Sequence, residues 1–312
     1  MIENKIQINI NLAPMTTFKI GGPARYFVII ENKEELVDAF AWANKNNIKC
    51  SILGGGSNLL VNDRGVDALV MKIKTKGIFS KGDLIEAAAG EDLAKLISFA
   101  TSNSLTGLEW AAGIPGTVGG AIRGNAGAFG SSISEAIEWV ESYNLSASEF
   151  QKFNQRACRF DYRQSIFNNN NLIIWSGVFK FKPGKKQEIK KEIENNIKYR
   201  NIKQPKLPSA GSVFKNVTYE NILENNPGLA ELADKDRVVK GNKVGSGWII
   251  DQAGLKGKKI GGAKVSLEHG NFIVNTGNAS AEDVIMLISF IKQQVRNKLN
   301  IQLNEEIEYF GY

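Results

Sequence analysis

The segment 107–130, GLEWAAGIPGTVGGAIRGNAGAFG, carries eight glycines and one proline, and its only charged side chains are Glu109 and Arg123. Glycine has no Cβ and admits positive φ, so successive N–H groups can converge on an anion and the backbone can lie close against a flat ring. A surface loop of this length is ordinarily polar, whereas Leu108, Trp110, Ile114, Val118, Ile122 and Phe129 are costly to leave in water. The segment therefore reads as backbone built to hold a phosphorylated cofactor. A second block, Gly54, Gly55, Gly56, Ser57 and Asn58, follows strand-like residues 51–53. It forms a natural nest for a diphosphate, with Ser57 and Asn58 as additional donors.

Neither block is a dinucleotide fingerprint, because no G-x-G-x-x-G occurs in the chain, and the pairs Gly184-Lys185 and Gly257-Lys258 are each followed by lysine, which excludes a Walker loop. A Rossmann dehydrogenase and a P-loop ATPase are thus disfavoured, leaving a cofactor held by two separate loops. Cys50, Cys158 and His269 are the only soft metal ligands, too few for a zinc site or a disulfide framework. No metal is expected. The formal charge of +7 favours anionic partners without choosing among them. The N-terminal MIENKIQINI lacks a secretory pattern and no apolar run is long enough to span a bilayer, so the expectation is a cytoplasmic protein without membrane contact.

Residues 27–30, 33–47 and 51–53 read as a small β-α-β unit, with Asn32 capping the helix and Glu35 three residues on. Strands are expected at 68–73, 84–88, 137–145 and 172–181, a helix face at Leu93, Leu96, Ile97 and Ala100, and a solvated lysine-rich helix within 180–203. Further on come a strand at 271–275, a helix entered through Ser280 with Asp283, and a final strand at 303–310. The helix carries an apolar stripe of Val284, Leu287, Ile288, Ile291, Val295 and Leu299. The fold class is α+β. The chain is expected to divide into 1–199 (about 1–75 and 76–199, the latter mainly antiparallel), 200–300, and a closing strand within 301–312, with Pro205 and Pro208 interrupting it after the lysine-rich helix.

Eight segments, in order, resemble the motifs of the UDP-N-acetylenolpyruvoylglucosamine reductase family: TTFKIGGPA (16–24), LGGGSNLLV (53–61), GIPGTVGGA (113–121), NAGAFG (125–130), RFDYRQSIF (159–167), PSAGSVFKN (208–216), GGAKVSLEHGNFIVN (261–275) and LNEEIEYFG (303–311). The resemblance covers nearly the whole chain. It implies noncovalent FAD reduced by NADPH, and reduction of the enolpyruvyl double bond of a UDP-sugar to UDP-N-acetylmuramate, a bacterial cell-wall precursor. It adds Gly113, Pro115, Gly116, Gly119, Gly120, Asn125, Ala126 and Gly127 to the glycine block 54–58 as cofactor-binding residues.

The same resemblance assigns Arg163 to stabilising the enolate-like species, Ser212 to donating the proton, and Glu306 to polarising the substrate or assisting proton transfer. A guanidinium suits a carboxylate because it can donate two parallel hydrogen bonds. Glu306 is chosen over Glu305 because Ile307 and Gly311 then take the hydrophobic and glycine places of the motif, and strand alternation would aim the two glutamates at opposite faces. Tyr162, Lys203, Asn216 and His269 fall at positions resembling substrate contacts. Val217 stands where the family usually has proline, and the short span between Arg163 and Ser212 leaves little room for the inserted lid of some members, so the shorter, lidless subclass is expected.

Two other readings are weighed beside this one. A flavin-dependent oxidase of a small alcohol or hydroxy acid would share the cofactor fold. A basic nucleic-acid-binding protein would want aromatics interleaved with a basic stripe, and none is evident. The expected partners are therefore small molecules, the UDP-sugar and NADPH, with no nucleic acid and no obligate protein partner.

Overall fold

A computed structural model describes residues 2–169 and 171–312. By contact, the chain divides into two compact units: Met1–Ile10, Ala24–Gly55 and Asp67–Arg200 form the first, and Asn11–Pro23, Gly56–Val66 and Asn201–Tyr312 form the second. The chain passes between them several times, and one passage falls inside the glycine block, between Gly55 and Gly56.

Two larger sheets and two short two-stranded ones lie mainly in the first unit. In the four-stranded sheet the order is Gln7–Asn11, Pro23–Ile30, Val66–Ile73, Cys50–Leu53. Cys50–Leu53 runs parallel to Val66–Ile73, and the Lys33–Lys45 helix connects Pro23–Ile30 to Cys50–Leu53. Asn32 accepts the Glu35 N–H at 2.9 Å, so the cap read from sequence is present. The second sheet is antiparallel, in the order Glu149–Asn154, Ile137–Asn144, Leu172–Lys180, Leu84–Ala88, Ile78–Lys81. One apolar cluster joins both sheets with the Leu93–Ser102 and Val118–Arg123 helices, through Val28, Leu36, Leu69, Ile85, Leu96, Val118, Val140 and Phe179.

The second unit is built from three small sheets and the helices Tyr219–Asn225, Pro227–Lys235, Ser246–Gln252 and Ala281–Leu299. Its core gathers Phe18, Ile20 and Leu60 from the early segments with Phe214, Ile249, Val265 and Ile273. Val284, Leu287, Ile288, Ile291 and Val295 all face inward from the last helix, which is the predicted stripe. Its N-terminus is doubly satisfied. Ser280 accepts the Asp283 N–H at 3.0 Å in a capping box, and the Asp63 carboxylate accepts the Ala281 N–H at 2.7 Å.

Several expectations change at the level of single elements. Phe129 is 54% exposed instead of buried, its ring edge-on to Tyr199 and beneath the Arg200 guanidinium. The glycine-rich segment is partly helical, because Thr117 caps Val118–Arg123 by accepting the Gly120 N–H at 3.3 Å. The final strand is only Glu308–Phe310, since Glu305 meets Phe214 in an isolated antiparallel bridge before the chain turns to run parallel to Leu59–Val61. The strand expected at 271–275 begins at Ile273, because Asn271 is committed to a turn in which its N–H donates to the His269 ring.

The cap at Ser280 gives a stability prediction. Ser280→Ala should lower the unfolding free energy of this unit by about 1 kcal/mol, read as a shifted denaturant midpoint at unchanged slope.

Candidate functional site

In the first unit the turn after Cys50–Leu53 approaches the 113–127 segment through bare backbone. A Cβ placed on Gly55 would lie 2.7 Å from Gly116 Cα, and one on Gly54 would lie 3.0 Å from Thr117 Oγ1. At Gly55, which faces backbone, only glycine permits that approach. Lys72, directly opposite Leu53 in the parallel register, donates from Nζ to the Gly54 carbonyl at 3.0 Å. Burial, with a smaller contribution from Lys74, pushes its amine down to about 8.

The 107–113 stretch is gripped from the Lys186–Lys203 helix. Arg200 donates from Nε to the Ala112 carbonyl at 2.9 Å and from Nη2 to the Trp110 carbonyl at 3.0 Å, and Asn196 donates to the Glu109 carbonyl at 3.1 Å. This helix was read as a solvated face. Its inward polar residues in fact satisfy carbonyls that the glycine-rich backbone leaves open. Glu109 accepts the Gly107 N–H at 2.8 Å through Oε2, while its buried Oε1 has no hydrogen-bond partner among the described residues.

Asn125 and Arg163 meet in the same unit. Asn125, nearly buried, donates to the Asp161 carbonyl at 2.9 Å and accepts the Ser134 N–H at 3.1 Å. Asp161 and Gln164 exchange backbone hydrogen bonds at 3.0 and 3.1 Å, leaving Tyr162 and Arg163 at the tip of the turn. Arg163 has φ 57°, a left-handed conformation costing on the order of 1 kcal/mol for a side chain of its size. Its guanidinium donates from Nη2 to the Gly127 carbonyl at 2.8 Å and lies 5.1 Å from the Tyr162 ring centroid. Thus Asn125, Gly127, Tyr162 and Arg163, proposed from two separate motifs, lie together.

The second unit collects residues from three further motifs. Residues 212–214 lie between two flanking segments. On one side, Val213 N–H donates to the Asn271 carbonyl at 2.8 Å, and the Asn271 side chain both accepts the Phe214 N–H at 2.9 Å and donates to the Phe214 carbonyl at 2.8 Å. On the other, the Glu306 N–H donates to the Val213 carbonyl at 2.7 Å and the Lys215 N–H to the Asn304 carbonyl at 2.8 Å. Gly211, at φ 78°, turns the chain into this arrangement just ahead of Ser212. Asn58 then ties Glu306 to the glycine block: its amide donates to the Glu306 carbonyl at 3.0 Å, and its own carbonyl accepts the Glu308 N–H at 2.9 Å.

The two glutamates are distinguished by their partners. Glu305 forms an ion pair with Lys292 at 2.6 Å and accepts the Tyr309 hydroxyl at 2.6 Å, so both its oxygens serve the fold. Partial burial of the Tyr309 phenol, with the Glu305 hydrogen bond, holds it far above its ordinary range. Ser212 and Glu306 are half-buried, and Lys203 and Asn216 are exposed. His269 accepts the Asn271 N–H on Nδ1 at 3.2 Å and packs edge-on against Phe272. Burial and then Lys256 hold its pKa below the usual imidazole value, so the ring is neutral at pH 7. Sequence reading missed Lys72, Arg200 and Asn271. The signal for Asn271 was an amide inside an otherwise apolar strand-like run. Lys72 had none beyond its place opposite the strand that feeds the turn.

The Cβ-free backbone at Gly54, Gly55 and Gly116 suits a dinucleotide, and likeness to known proteins defines the class. An FAD binding domain matches residues 24–146, so the chain is an FAD-binding oxidoreductase with an α+β fold. The profile described as UDP-N-acetylenolpyruvoylglucosamine reductase, C-terminal domain, matches residues 203–310. Proteins of that name from Caldanaerobacter subterraneus and Prochlorococcus marinus (strain NATL2A) are 37% and 36% identical to this chain, each covering 99% of it, and are themselves covered to 95% and 99%. The crystal structure of UDP-N-acetylenolpyruvylglucosamine reductase from Thermus caldophilus aligns over 98% of both chains at 33% identity and a TM-score of 0.77. The chain belongs to the UDP-N-acetylenolpyruvoylglucosamine reductase family, and its length fits the lidless subclass. Among the described residues, no helix is long and apolar enough to cross a membrane.

The contrast between the two glutamates is testable. Glu305→Gln should cost about 1 kcal/mol of stability, the worth of a partly exposed ion pair with a hydrogen bond, and leave turnover within about threefold. Glu306→Gln should do the reverse, sparing the melting temperature while lowering turnover by about a hundredfold. Steady-state rates and thermal melts of the pair decide it.

Proposed function

We propose that this protein reduces UDP-N-acetylglucosamine enolpyruvate to UDP-N-acetylmuramate with NADPH as electron donor, supplying peptidoglycan synthesis from the cytoplasm. The family membership carries the reaction. The observation that carries the residue roles is the backbone lattice in which Asn58 and Glu306 are bonded directly, and Ser212 is bridged to Phe272 and flanked by the bonded Val213 and Phe214, within one compact unit.

Bound FAD supplies the hydride that passes from NADPH to the enolpyruvyl double bond. What the protein's own residues must do follows from the charge this reaction creates. Addition at the terminal carbon pushes negative charge toward the carboxylate, and a guanidinium stabilises such charge best when it is held rigid before reaction. Arg163 meets that requirement: one of its N–H groups is spent on the Gly127 carbonyl, which fixes its plane. Ser212 gives its hydroxyl proton to the carbon that bears the carboxylate. A serine is a weak acid, so it acts only where its neighbours are immobile, and here residues 212–214 are bonded on both sides. Glu306 polarises the substrate or assists that proton, while Tyr162, Lys203, Asn216 and His269 contact the diphosphate, sugar or carboxylate. Lysine and asparagine suit the diphosphate through charge and donor count.

By function the chain divides into a flavin domain over 1–199, a substrate domain over 200–300 and a returning segment over 301–312. Gly54, Gly55, Gly56, Ser57 and Asn58 hold the cofactor together with Gly113, Pro115, Gly116, Gly119, Gly120, Asn125, Ala126 and Gly127. The partners are small molecules only.

Ser212→Ala should leave flavin bleaching by NADPH at its native rate and slow the return of colour on mixing with the enolpyruvyl substrate by about a hundredfold or more. Equal slowing of both half-reactions in rapid-mixing spectroscopy would remove Ser212 from proton donation. Acid precipitation should release all flavin to the supernatant, and colour retained on the polypeptide would contradict noncovalent binding.

A further inference from the structure

Lys72 stands apart from the other lysines near the glycine block. It lies on the Val66–Ile73 strand, which is paired on both sides in its sheet, and its ammonium meets a neutral acceptor, the Gly54 carbonyl. Other lysines of this unit do find carboxylates: Lys76 reaches the Glu91 carboxylate at 3.5 Å, and Lys95 reaches the same group at 3.6 Å. Among the described residues no carboxylate lies within ion-pair distance of Lys72. The charge that acts on it is Lys74, which repels.

A partly buried ammonium without a counter-ion is costly, and an apolar side chain of the same length would serve the sheet better. Its amine, pushed down to about 8, still carries the proton at neutral pH, so the cost is borne by the charged form. The charge is therefore explained by an anion that the chain does not itself provide, at the turn whose carbonyl the ammonium touches.

We propose that Lys72 is an affinity-determining residue for the bound dinucleotide, its ammonium serving as counter-charge to the diphosphate. The proposal rests on the reading that the glycine block 54–58 holds FAD. A diphosphate is the fitting ligand class, because it is dianionic, accepts charge-assisted hydrogen bonds from ammonium donors, and can share the turn with backbone N–H groups. The residue positions the cofactor and takes no part in proton transfer.

The test strips flavin from the full-length protein and titrates FAD back, following flavin fluorescence. Lys72→Met should weaken FAD binding by roughly ten- to a hundredfold, the worth of one hydrogen bond to a charged group, and should reduce the salt dependence of binding. Lys72→Arg, which keeps the charge, should bind within a few fold of the native protein. The flavin-stripped Lys72→Met protein should melt at or above the native temperature, since it loses an uncompensated charge. Unchanged affinity in Lys72→Met, or equal weakening in Lys72→Arg, would overturn the proposal. Gly55→Val separates this from failure of the underlying reading, because its side chain would be driven into Gly116. Loss of FAD there with none in Lys72→Met refutes Lys72 alone, whereas indifference of both variants removes the turn as the cofactor site and the proposal with it.

Discussion

The placement of the proposed site residues depends on asparagine side chains that close main-chain hydrogen bonds. A primary amide is both donor and acceptor, so one asparagine can stand in for a neighbouring strand where none is available. Asn271 does this for Phe214, accepting from its N–H and donating to its carbonyl, and so fixes the segment that carries Ser212. Asn125 links the Ser134 N–H to the Asp161 carbonyl and so holds the turn that carries Arg163. Asn58 anchors the carbonyl of Glu306. Asn275, also buried, takes the Gly277 and Ala279 N–H groups and donates to Phe18. Removing such an amide leaves two buried backbone groups unsatisfied, which costs more than the bond itself contributes.

This arrangement explains how irregular backbone can be rigid. The 212–214 segment belongs to no regular sheet, yet it is bonded on both edges. Arg163 keeps a left-handed backbone that an isolated turn would relax, because its guanidinium and its neighbours are tied to residues 123–127. Rigid donors held before reaction are what a charge-building reduction needs, since the protein then reorganises little as charge develops. The spare polar atoms are as telling. Lys72, which touches the Gly54 carbonyl, and the Oε1 atom of Glu109, in the 107–130 segment, are a cation and an acceptor without partners of matching kind among the described residues.

Much of this was legible in the residues, for physical reasons that can be named. The Asn32 and Ser280 caps and the apolar stripe of the Ala281–Leu299 helix follow from local rules and appear where expected. The glycine blocks read as backbone for a ligand, and their close approach to each other, Gly55 against Gly116, is what the structure adds. Long-range partners were not legible. Phe129 reads as a core residue by type, but Tyr199 and Arg200 serve it at the surface. The 303–310 strand divides because Glu305 pairs with Phe214 while Glu308–Phe310 pairs with Leu59–Val61, two partners far apart in sequence. The lysine-rich helix hides its working face, since Asn196 and Arg200 look like ordinary surface residues until the carbonyls they satisfy are known. The contact-defined units also interlace, with 11–23 and 56–66 packing alongside the C-terminal third, which no composition shift marks.

The central claim is that main-chain amides of the two glycine-rich blocks hold the flavin cofactor. Hydrogen exchange measured by mass spectrometry on the flavin-stripped full-length protein, with and without FAD, tests it directly. The account predicts strong new protection in peptides covering 54–58 and 113–127. Protection confined to other peptides, with these two exchanging at unchanged rates, would contradict it.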